Sequence, residues 1–115
     1  MMKNKRLTKI QILAETFKMD PLEYYDWAKD KSRYENFCQV TGKHCRTVVH
    51  HVDGLKHSKR TDPTPQHFIL IIMDTNIHTG GPKNIHSMSD KDFQEYYDVN
   101  VYEIAIKNLI EFIVS

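Results

Sequence analysis

Seven histidines stand at positions 44, 50, 51, 57, 67, 78 and 86, all in the middle of the chain. Imidazole is neutral near pH 7, and it either ligates a metal or accepts a proton there. A cluster of this kind therefore points to metal binding, general-base chemistry or both. Taken singly, each histidine reads as a core or surface residue. The ordered set His50-His51, His67, His78 and His86 is what suggests a site. Around it lies a basic stretch, with Lys43, Arg46, Lys56, Lys59 and Arg60 against Asp53 alone between residues 43 and 60. Such a stretch either faces phosphate or is simply solvated. The two cysteines, Cys38 and Cys45, are too few for a disulfide framework or a four-cysteine zinc site. A mixed site of Cys38, Cys45 and His44 lacks a clear fourth ligand, so the cysteines read as small buried hydrophobes.

These residues need elements to hold them. Leu7, Ile10, Leu13, Ala14 and Phe17 share one stripe of a helix over residues 7–18. Asp20-Pro21 caps a second helix that runs to about residue 35, with Leu22, Tyr25 and Ala28 inward. The pair has the outline of a helix–turn–helix, but a plain hairpin packed on the core is expected. Residues 36–46 form a knuckle. Thr47 to Val52 is β-branched and reads as a strand ended by Asp53-Gly54. Pro63 and Pro65 keep the following loop irregular, and His67 to Met73 reads as a second, well-covered strand. Gly80-Gly81-Pro82 excludes a helix interior. Ser89 and Asn100 each start a helix, Ser89 with Asp92 as in a capping box. The last helix buries Val101, Ile104, Ala105, Leu109, Phe112 and Ile113.

The order of Cys38, Gly42-Lys43, His50-His51-Val52-Asp53, a Lys56/Lys59/Arg60 loop, an apolar strand over Phe68 to Met73, Ile85-His86, Phe93 and Tyr97-Asp98-Val99 resembles the HNH (ββα-metal) endonuclease family. The likeness is to its small phage-type members and covers about residues 36–100. It implies an α+β fold with a ββα-metal core, an N-terminal helical hairpin over 1–35 and two C-terminal helices, the last over 100–115. It also implies metal-dependent hydrolysis of phosphodiester bonds in DNA. The implied metal ligands are His50, His78 and His86, holding one divalent ion (Mg, Mn, Ni or Zn). The implied catalytic residues are His51 as general base and His67, in the place of the family's loop-bracing Asn. Lys43, Lys56, Lys59 and Arg60 are the implied nucleic-acid contacts. Strand neighbours point to opposite sides, so His50 and His51 divide between metal and water only if the chain breaks after them, as Asp53-Gly54 allows. The family's last two ligands lie about one helical turn apart. Here His78 and His86 are eight positions apart, with Gly80-Gly81-Pro82 between them, so either the site has an insertion or only one of the two binds.

At 115 residues, 40% hydrophobic and 27% charged, the chain fits a single domain over 1–115 of ordinary globular composition. Its longest apolar run, Phe68 to Met73, is too short to span a membrane. The basic start, Met1 to Arg6, leads into no apolar leader segment. DNA is the expected partner and the cytoplasm the expected location. The competing reading is a non-catalytic regulatory protein that keeps the fold and binds DNA, or binds another protein through its acidic C-terminal helix.

Overall fold

The computed structural model describes residues 5–55 and 57–115. The chain is a mixture of helix and antiparallel sheet. Helices α1 (Lys5–Thr16) and α2 (Pro21–Glu35) come first, then strand β1 (Thr47–His51), strand β2 (Leu70–Asp74), and helices α3 (Asp90–Tyr97) and α4 (Val101–Val114). The two strands pair antiparallel, with Thr47 opposite Asp74 and His51 opposite Leu70. Among the described residues no helix is long and apolar enough to cross a membrane.

The expected caps are present. The Asp20 carboxylate accepts from the Leu22 N–H at 2.9 Å, with Pro21 in the first turn of α2. Ser89 Oγ accepts from the Asp92 N–H at 3.1 Å, and Asn100 accepts from Tyr102 and Glu103. One boundary moves: α1 ends at Thr16 rather than 18. Lys18 turns left-handed (φ 52°) and the Met19 N–H bonds back to the Ala14 carbonyl, the 6→1 closure of a helix end. Phe17 therefore leaves the buried stripe and is more than half exposed.

The second strand also differs from expectation, and the difference matters. Thr64 caps a 3₁₀ turn over Pro65–Phe68, and the strand begins only at Leu70. Proline supplies the φ that a helical first turn needs, and Thr64 Oγ1 accepts from the Gln66 N–H. His67 thus sits on a turn rather than in the ladder.

One core joins all the elements. Ile10 and Ala14 of α1, Tyr24 and Ala28 of α2, Leu70 and Ile71 of β2, Phe93 of α3, and Val101, Ala105 and Leu109 of α4 share it. Fully burying a Leu or Ile contributes about 1.5–3 kcal/mol. The outer edge of β2 is closed by two polar side chains. Gln39 Oε1 accepts from the Ile72 N–H at 2.9 Å, and the buried Asn108 of α4 donates to the Leu70 carbonyl at 3.1 Å. The knuckle is a tight hairpin in which the Cys38 N–H bonds the Lys43 carbonyl and Gly42 takes a positive φ of 73°. Cys38 is fully buried, as a small hydrophobe would be.

Candidate metal centre

His50 and His51 are neighbours on β1, so their side chains leave opposite faces of the sheet. On one face His50 meets His78 and His86, with ring centroids 5.0 and 5.1 Å away. One nitrogen of each of these three imidazoles lies within 4.8 Å of the other two. His78 Nε2 and His86 Nε2 are 3.0 Å apart. Two imidazoles on a tetrahedral zinc, with Zn–N of ~2.0–2.1 Å, hold their nitrogens about 3.3 Å apart. The His78 and His86 nitrogens are therefore almost at ligand spacing.

Local backbone geometry brings His86 back across eight residues. After β2, Asn76–Gly80 winds as a single wide π turn that carries His78. Gly81 then passes directly over the Asn76 carbonyl, and the Ile85 N–H bonds the Ile77 carbonyl at 2.8 Å. The residues after Ile77 and Ile85 are the two histidines, so this bond sets them side by side. Asn84 stitches the excursion, donating to the Gly81 carbonyl and accepting from the Ser87 N–H. The buried Ile85 anchors it to the core. The eight-residue spacing therefore does not keep His86 away from His50 and His78.

The environment favours the neutral form of two of these imidazoles. Burial, reinforced by neighbouring His78, His86 and His51, pushes His50 down to about 3. Burial and His86 also lower His78. His50 is buried, His78 half-buried and His86 exposed, so the cluster opens to solvent at His86. Three imidazole nitrogens without a carboxylate suit zinc or nickel better than magnesium or manganese, which favour oxygen.

On the other face His51 meets His67. His51 Nε2 lies 2.9 Å from His67 Nδ1, and His67 Nε2 lies 2.8 Å from the Asp62 carbonyl. A carbonyl only accepts, so His67 carries its proton on Nε2 and its Nδ1 is bare. His51 must then donate from Nε2, which leaves the lone pair on His51 Nδ1. Burial, with His67 and Arg60 adding, pushes His51 down to about 4. Tyr25 of α2, read from the sequence only as an inward residue, stacks on His67 at 4.6 Å and meets His51 edge-on at 5.1 Å. A tyrosine among the periodic apolar positions of a helix carries no signal of that role.

The charges divide. Lys59 and Arg60 are exposed, and Arg60 is close enough to lower both His51 and His78. Lys59 and Asp62 close the loop, the Lys59 N–H bonding the Asp62 carboxylate at 2.8 Å. Lys43 is exposed on the knuckle beside the far edge of β2, so the fold does not bring it to Arg60. Lys56 lies outside the described residues. His44 packs edge-on against Phe37 in the knuckle, and His57 is exposed. The chain matches no protein-family model, no curated protein and no solved structure.

Proposed function

We propose that the chain is a metal-dependent endonuclease of the HNH (ββα-metal) type that hydrolyses phosphodiester bonds in DNA. The observation that carries this reading is the division of labour across β1: three imidazoles gathered at His50 on one face, and a tautomer-fixed His51 on the other. His50, His78 and His86 would hold one divalent cation. When bound, that ion stabilises negative charge on the phosphate and the leaving oxygen. With only three protein donors, such an ion would remain accessible to water and substrate, as a catalytic site requires.

The rest is done by side chains. His51 Nδ1 accepts a proton from the attacking water. Its low pKa keeps that nitrogen unprotonated at neutral pH. His67 is a positioning residue, fixing the ring and tautomer of His51 and tying it to the loop carbonyl of Asp62. Arg60, within electrostatic reach of both His51 and His78, draws the phosphate between them.

A plasmid-nicking assay with Mg²⁺, Mn²⁺, Ni²⁺ or Zn²⁺ tests the reading. Nicking is expected only with added metal. His51→Ala should lose it while still binding metal, and an equally active His51→Ala protein would refute the assignment.

A further inference from the structure

The two edges of the sheet are treated differently. In this ladder Arg46 and Val52 point their backbone groups inward, since the Thr75 N–H bonds the Arg46 carbonyl and the Val52 N–H bonds the Ile69 carbonyl. Antiparallel pairing alternates, so Val48 and His50 also point inward, while Thr47 and Val49 point outward. The same alternation on β2 turns Leu70 and Ile72 outward, and there Asn108 and Gln39 satisfy them. No such partner meets the N–H and C=O of Thr47 and Val49 among the described residues.

Those groups open into a cleft of about 610 Å³. Thr47, Val48 and Val49 all line it, as consecutive residues do at a strand's edge and not on its face. Helix α2 forms the opposite wall, held there by the contact of 2.7 Å between Ser32 Oγ and Thr47 Oγ1. A free strand edge with outward N–H and C=O groups is a template for another strand.

We propose that the β1 edge is a docking groove for an extended peptide segment of a partner protein, added as a third strand beside β1 under α2. The groove offers N–H and C=O groups in alternation, which only another peptide backbone answers in full. The sugar–phosphate backbone of DNA carries acceptors alone and would leave both carbonyls unpaired. A second copy does not fit, because its own β1 edge is recessed under its own α2. Charge sets the peptide's character. Lys29 pairs with Asp26 at 3.1 Å and Arg33 pairs with Asp30, whereas Arg60 has no ion pair among the described residues. An acidic side chain at the Arg60 end is therefore favoured. His78 lines the same cleft, so a bound strand would lie against the metal centre and restrict access to it.

The inference stands apart from nuclease activity, and its test does not need it. Displayed random octapeptides would be panned on the full chain, and an enriched peptide titrated into ¹⁵N-labelled protein. The expected result is an acidic, β-prone peptide that shifts the Thr47 and Val49 amide signals. N-methylation of alternate residues should weaken it tenfold or more in one parity and leave it unchanged in the other. Val49→Pro, which removes an outward N–H and spares the ladder, should lose the peptide and keep zinc binding. No enriched sequence would overturn the proposal, and so would indifference to methylation parity. Capture of those two amides by single-stranded DNA that the peptide cannot displace would assign the groove to nucleic acid instead.

Discussion

Gly81→Ala tests whether the return of His86 is a built feature. A methyl group placed on Gly81 would come to 2.7 Å from the Asn76 carbonyl oxygen, closer than Cβ atoms stand to any neighbour. The obstacle is backbone at the head of the π turn, so it cannot swing aside as a side chain would. The turn must open, and the two strands of the excursion must slide apart near Ile77 and Ile85. Overpacking of this kind costs about 1–3 kcal/mol. His78 and His86 begin with their Nε2 atoms only 3.0 Å apart, so a small separation removes the shared ligand geometry. The expected loss of zinc or nickel affinity is about tenfold or more, roughly 1.4 kcal/mol. Gly80→Ala is the control. Its added Cβ would meet the Asn76 side chain at 3.1 Å, which can rotate away. Calorimetric titration of both variants, with thermal unfolding to confirm the fold, separates the cases. Wild-type affinity in Gly81→Ala would refute the account of how His86 is delivered.

Replacing His50 or His78 with Ala should each lower metal affinity by at least about tenfold, since losing a ligand exceeds the 10–100-fold scale of its supporting contacts. His86→Ala should do the same, and unchanged calorimetry for His50→Ala would remove the centre altogether. The metal-free protein should lose stability in acid. His50 and His51 are held at about 3 and about 4, below the ordinary 6.5, so the unfolded chain binds more protons. That stability is complete above about 6.5 and drains as pH falls through the folded values. Melting temperatures between pH 7.5 and 4 should decline, His50→Gln should flatten the slope, and a level profile would contradict the burial of these rings. Finally, Lys59→Ala with Arg60→Ala should weaken binding to duplex DNA of any sequence and shallow its salt dependence by about two phosphate contacts. Binding unchanged at every salt concentration would give this loop another role.

Much of the scaffold was legible in the chain itself. Asp20-Pro21, Ser89 and Asn100 start helices because their side chains answer N–H groups no other residue can reach. The β-branched run at Thr47 forms a strand, and period-two alternation alone sends His50 and His51 to opposite faces. The grouping of histidines in mid-chain pointed to the residues that the fold gathers as His50, His78 and His86. What the sequence could not carry was every relation set by a backbone turn or a distant partner. Residues 67–73 read as one strand because their hydrophobicity is continuous. The 3₁₀ turn over Pro65–Phe68, fixed by Thr64 and Pro65, is what aims His67 at His51 and Asp62. The eight-residue gap between His78 and His86 gave no distance, because separation along a chain with Gly80-Gly81-Pro82 in it does not determine separation in space. The Ile85–Ile77 hydrogen bond decided that. Tyr25 against the two imidazoles, Asn108 on the β2 edge and the uncovered β1 edge arise from packing between elements far apart in sequence. Local patterns specify which element forms and which way its side chains face. Which faces then meet is settled only when the whole core is buried at once.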